Sequence, residues 1–144
     1  MARKIAAGNW KMNGMGAALA ELEILTQEPV PDKVDVLICP PAVLVSRAAA
    51  VAGAIKLGGQ DCHANSSGAH TGDISADMLR DAGASYVILG HSERRSDHAE
   101  TDTQVCAKTQ AAIAAGLIAV VCIGETLDER NTGKTLEILS LIHI

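Results

Sequence analysis

Tyr86-Val87-Ile88-Leu89-Gly90-His91-Ser92-Glu93-Arg94-Arg95 is a continuous apolar run that stops at a polar hexamer. A short unbroken run of this kind suits a parallel strand covered on both faces. The same arrangement stands near the N-terminus, where Lys4-Ile5-Ala6-Ala7 leads into Gly8-Asn9-Trp10-Lys11-Met12-Asn13. Both hexamers put ionisable and amide side chains where a buried strand runs out. In parallel α/β proteins such strand ends are where chemistry is done.

Outward from these two stretches, strand-like and helix-like segments alternate along the chain. Strands are predicted at residues 5–7, 34–39, 55–59, 86–89 and 117–123, with helical spacing between them, as in Ala18, Leu19, Leu22 and Leu25. Thr101-Asp102-Thr103-Gln104 is a capping-box pattern that opens a helix. Helices are expected to stop at Ala52-Gly53, Ala82-Gly83 and Ala115-Gly116, because glycine enters the left-handed cap conformation without a Cβ penalty. Strand–helix repetition with right-handed crossovers leaves two architectures, an open doubly wound sheet or a (β/α) barrel. Periodicity does not choose between them.

The 144 residues carry a net charge of −5, which argues against nucleic acid or an anionic membrane as the main partner. No apolar run is long enough to cross a bilayer, and the N-terminus lacks the apolar stretch of a signal peptide. Cys39, Cys62, Cys106 and Cys122 are scattered without a Cys-x-x-Cys pair, so they read as reduced thiols of a cytoplasmic protein. There is no Phe, and Trp10 and Tyr86 are the only aromatics, so the core is expected to consist of Val, Ile, Leu and Ala.

Asn-Trp-Lys-Met-Asn followed far downstream by Gly-His-Ser-Glu-Arg-Arg closely resembles the triosephosphate isomerase family, from about residue 3 to about residue 138. The resemblance selects the (β/α)8 barrel, which in full takes roughly 250 residues. This chain supplies only about the first five strands, so residues 1–138 are expected to form the N-terminal part of a barrel. Leu139-Ser140-Leu141-Ile142-His143-Ile144 departs from the family pattern. It matches the translation of a transposase sequencing adaptor (CTG TCT CTT ATA CAC ATC), so residues 139–144 are expected to be a non-native tail. As a natural half-barrel, an open five-strand sheet would leave its edges unpaired, and such a protein is expected to aggregate or dimerise.

The resemblance implies interconversion of dihydroxyacetone phosphate and D-glyceraldehyde 3-phosphate through an enediolate, in glycolysis and gluconeogenesis, with no metal or organic cofactor. His91, at the start of a short helical turn, is expected to stay neutral, because a helix N-terminus disfavours protonation. A neutral imidazole can donate to a substrate carbonyl and shuttle a proton between neighbouring oxygens. Lys11 on the same rim would attract the phosphorylated substrate and stabilise an enediolate oxygen. By resemblance Asn9 and Lys11 bind substrate, Glu93 interacts with Lys11, and Ser92, Cys122 and Glu125 support the site, Cys122 as a buried thiol and not a nucleophile. The segment Ser67-Gly68-Ala69-His70-Thr71-Gly72-Asp73 resembles the loop that enters the partner subunit, with His70 and Thr71 at the interface of an isologous homodimer. The Gly59-Gln60-Asp61 turn leading into it reads as structural. Cys62, His63 and His70 match no standard zinc spacing and lack a fourth ligand, so no metal is expected.

The family's catalytic base is a glutamate after the sixth strand, and its lid and phosphate-gripping amides follow. None of these positions exists here, so the chain itself is expected to be inactive. Two other readings are a half-barrel module that binds anions or a partner, and a different phosphate-binding barrel enzyme. The wording of both hexamers disfavours the second of these.

Overall fold

The computed structural model describes residues 4–30 and 32–140, the last by its backbone. Five parallel strands form one sheet in sequence order: β1 (Lys4–Asn9), β2 (Val34–Cys39), β3 (Lys56–Gly59), β4 (Tyr86–Leu89) and β5 (Ile118–Val121). A 3-10 turn (Gly16–Ala18) and α1 (Leu19–Leu25) follow β1, and α2 (Ala42–Ala49) follows β2. α3 (Ala76–Asp81) follows β3, and α4 (Ser92–Asp97) with α5 (Asp102–Ala114) follows β4. α6 (Leu127–Asn131) and α7 (Thr135–Ser140) follow β5. The expected boundary at residue 138 falls inside α7, and residues 141–144 of the expected tail lie outside the described residues.

The period of two along each strand separates two packing layers. Leu37, Cys39, Tyr86 and Ile88 cluster on one face, with Val120 and Cys122 packed against them. Their strand neighbours turn toward the helices. Val87 and Leu89 join Val45, Leu79, Val105 and Leu117 in one cluster. Leu57 joins Leu19, Leu22 and Ala48 in another. Tyr86 stands in the first layer, and its hydroxyl donates to Asp35 Oδ2 at 2.9 Å, so the one buried phenol is partnered. Gly58 is required where β3 passes this layer, because a Cβ there would lie 2.6 Å from Cys39 Sγ and 3.2 Å from the Tyr86 carbonyl oxygen.

The helix boundaries follow their caps. The capping box at α5 forms as expected, and a second one at α6, from Thr126 and Glu129, was not anticipated. α3 and α5 stop at Ala82 and Ala115, with Gly83 at φ 101° and Gly116 at φ 83°. α2 stops earlier, at Ala49, and a turn carries the chain to Gly53 at φ 54°. β1 runs two residues further than expected, taking in Gly8 and Asn9, which pair with Ile38 and Cys39. β5 begins one residue later than expected because Leu117 N–H is spent on the carbonyl of Ala112, closing α5, and it ends at Val121, two residues short of the expected end.

β4 is buried along its whole length, as expected for a central parallel strand. β5 is not, and most of β1 is exposed. Both are edges of the sheet, with Ile5 and Ile118 open to solvent. Exposed apolar edges template further pairing. Sedimentation of the chain is therefore expected to show self-association that Ile5→Lys with Ile118→Lys reduces, with unchanged far-UV circular dichroism.

Candidate active site

Asn9 closes β1, and Trp10 N–H extends the ladder by one bond, 3.0 Å to the Cys39 carbonyl. There the chain leaves the sheet. Asn9 Oδ1 accepts the Lys11 N–H at 2.8 Å, and Lys11 takes φ 55°, a left-handed value that costs a non-glycine residue roughly 1–3 kcal/mol. Gln60, just past β3, donates from Nε2 to the Lys11 carbonyl at 2.8 Å and to the Cys39 carbonyl at 2.9 Å. The turn is thus held from its own strand and from the third.

His91 is the N-cap of α4, and its Nδ1 accepts the Glu93 N–H at 3.3 Å. A nitrogen that accepts carries no proton, so the neutral ring bears its proton on Nε2. Glu93 Oε1 lies 2.7 Å from Lys11 Nζ, and its other oxygen lies 3.5 Å from His91 Nδ1. Lys11, Glu93 and His91 therefore meet at the carboxyl ends of β1 and β4. Both members of the Lys11–Glu93 pair are half exposed, so it contributes at most about 1 kcal/mol to stability. Beside it a cleft of about 660 Å³ opens between α4 and the segment after β5, lined by His91, Glu93, Arg95, Cys122, Glu125 and Thr126.

The remaining expected residues fall as follows. Ser92 is the exposed first residue of α4. Glu125 reaches the cleft, but its Oε1 accepts from Arg130 Nε at 2.7 Å and from Thr135 Oγ1 at 3.3 Å. The Arg130 hydrogen bond holds the Glu125 carboxyl below its usual range. Cys122 is half buried and not fully enclosed as expected, because it follows an edge strand. Burial raises its thiol, and burial with the nearby Cys122 pushes Cys39 to about 12, so neither is an activated nucleophile. Thr71 is exposed, and His70 packs against His63 with ring centroids 3.9 Å apart, its Nε2 lying 3.0 Å from Asn65 Nδ2 in the same loop.

His63, His70 and Asp73 bring possible ligand atoms within 4.8 Å of one another. However, His63 Nδ1 already accepts the Asn65 N–H at 2.9 Å. A metal-bound imidazole donates from its other nitrogen, so coordination through His63 Nε2 would require an imidazolate. The donor set does not fit a metal.

The family model for triosephosphate isomerase matches residues 4–141. The chain belongs to the triosephosphate isomerase family. It is 73% identical over 139 residues to the triosephosphate isomerase of Ruegeria sp. (strain TM1040), covering 96% of this chain and 56% of that protein. With the triosephosphate isomerase of Ruegeria pomeroyi it shares 64% over 141 residues, again 96% of this chain and 56% of the relative. The crystal structure of triosephosphate isomerase from Bartonella henselae superposes with a TM-score of 0.90 at 49% identity, covering 98% of this chain and 60% of that one. The five strands are thus a partial triosephosphate isomerase barrel, and the chain spans little more than half the length of these relatives.

Sequence reading missed what ties the triosephosphate isomerase hexamers down. Lys108 of α5 binds both oxygens of Asp61 at 3.0 and 2.8 Å and also contacts Glu100 Oε1. Arg94, in α4 beside Glu93, reaches Asp61 at 2.9 Å. Glu100 has only 4% of its side chain exposed. Asp61 and Lys108 lie 47 residues apart in sequence, and the pairing of β3 with β4 helps bring the cluster together. Removing one member of a buried charge cluster strands the others, so Lys108→Met is expected to lower unfolding stability by about 3–5 kcal/mol in urea titration. For Glu125 the sign is set by its depressed carboxyl: its stabilisation is complete above the ordinary carboxylate range and fades as pH falls through the lower folded value. Arg130→Ala should return the Glu125 titration upward, read by carboxyl 13C resonances.

Proposed function

We propose that the protein represented by this chain interconverts dihydroxyacetone phosphate and D-glyceraldehyde 3-phosphate through an enediolate, in glycolysis and gluconeogenesis. The observation that carries the reading is the meeting of Lys11, Glu93 and His91 on one rim, in a chain of the triosephosphate isomerase family. The Lys11 ammonium and His91 Nε2–H donate to the two adjacent substrate oxygens, and negative charge that develops on either is stabilised where it forms. Asn9, whose Oδ1 is engaged by Lys11 N–H, keeps its amide to donate to substrate. Glu93 fixes the ammonium and orients the imidazole from its own backbone N–H.

A base must still remove the proton from carbon. Glu93 is paired with Lys11 and Glu125 with Arg130, so neither carboxylate is placed for that task. On this reading the 144-residue polypeptide binds and polarises but does not turn over, the base being the glutamate that the family resemblance places after a sixth strand. The working protein is a cytoplasmic homodimer with Thr71 and His70 at its interface, Thr71 meeting the active-site asparagine of the neighbouring subunit.

An isomerase assay tests these statements together. The chain alone should show no turnover, and the chain continued by the missing part of the Ruegeria sp. protein should be active. In the continued protein Lys11→Ala should lower kcat/KM by about 10²–10³, and His91→Ala by about 10²–10⁴. Turnover by the chain alone overturns its assigned inactivity. Full activity of the Lys11 variant overturns the role of the ammonium.

A further inference from the structure

We propose that Gln60 is a positioning residue for Lys11. Its carboxamide holds the Lys11 carbonyl and so maintains the left-handed turn that aims the ammonium at the substrate site. The inference rests on the role given to Lys11 above, but its geometry stands apart from that role. Lys11 is restrained at three points by three different elements. Its N–H goes to Asn9 Oδ1 at 2.8 Å, its carbonyl receives Gln60 Nε2 at 2.8 Å, and its Nζ lies 2.7 Å from Glu93 Oε1.

The first restraint is local and the third is a half-exposed ion pair, so neither alone fixes a backbone at φ 55°. Gln60 supplies the tertiary constraint. It also donates to the Cys39 carbonyl at 2.9 Å, which already accepts the Trp10 N–H at 3.0 Å. The carboxamide therefore bridges the ends of β1 and β2 at the step where their ladder stops. Only a side chain with two donor protons and this reach satisfies both carbonyls. A carboxylate would be repelled by them, and an aliphatic chain would leave both without that donor.

Gln60→Leu removes the donors at similar volume, and Gln60→Lys restores a donor long enough to reach both carbonyls. Trp10 is the only tryptophan and adjoins Lys11, so its fluorescence reports on the turn. Nitrogen-edited spectra of the lysine ammonium groups, with Lys11→Arg identifying the signal, report on the Lys11–Glu93 contact. Gln60→Leu is expected to shift the Trp10 emission and to speed exchange of the Lys11 ammonium protons by about threefold, and Gln60→Lys to reverse both. A Gln60→Leu protein that melts lower but leaves both signals unchanged overturns the proposal, since Gln60 would then serve the fold alone. Should that variant not fold, the wild-type chain decides: the Gln60 carboxamide protons should exchange about tenfold more slowly than those of exposed Gln27, and equal rates overturn the proposal. None of these readouts involves turnover, so loss of the isomerase reading would leave the positioning result intact, and the reverse also holds.

Discussion

Parallel pairing in sequence order is the constraint on which everything else here depends. β1 and β2 pair over six residues, from Lys4 with Val34 to Asn9 with Cys39, and each later strand joins the last with its carboxyl end on the same side. Because all strands point one way, the residue that follows each strand arrives on a common rim. Lys11, Gln60 and His91 are such residues, separated by tens of positions in sequence yet within two side-chain lengths through Glu93 and the Lys11 carbonyl. An antiparallel arrangement of the same segments would send alternate hexamers to opposite ends. The polar chemistry of the rim is thus a consequence of direction, and direction is set by the helices that return the chain between strands.

The architecture was legible wherever a pattern is local. β4 is four consecutive apolar residues and a central strand, and the caps at Thr101, Gly83 and Gly116 act through bonds or dihedrals within a few residues. Lys11, Glu93 and His91 were legible because their wording is shared by a family. What stayed hidden depends on long-range placement. Gln60 reads as a turn residue until the structure puts its amide on a carbonyl 49 positions away. Nothing around Lys108 announces that it will sit between Asp61 and Glu100. Exposure was misjudged at β1, β5 and Cys122 for a related reason: a strand's composition does not say whether it lies at an edge.

These hidden contacts also divide the work of holding the site. The visible Lys11–Glu93 pair is too exposed to hold either side chain by its own energy. Rigidity comes from behind it, where Asp61, Arg94, Glu100 and Lys108 lock α4 and α5 onto the end of β3 in a partly buried cluster centred on the enclosed Glu100. In such surroundings each charge costs several kcal/mol if left alone, so the cluster persists only as a set. α4 is six residues long and could not fix His91 by helix propensity. It is fixed because Arg94 is pinned one residue beyond Glu93.

On the isomerase reading proposed above, the same economy separates the electrophilic groups of the rim from its carboxylates. Four carboxylates around the rim are already committed: Asp61 and Glu100 to Lys108, Glu93 to Lys11, and Glu125 to Arg130. A general base needs a lone pair aimed at carbon and a proton affinity near the working pH. Glu125, whose carboxyl is held low by Arg130, is driven away from that condition. The cleft beside His91 is bordered on its far side by the segment after β5, an edge strand with an open flank. A further strand paired there would bring its own carboxyl end to this rim next to the cleft. On the proposed reading, that is where a base not committed to any of these cations would face the substrate carbon.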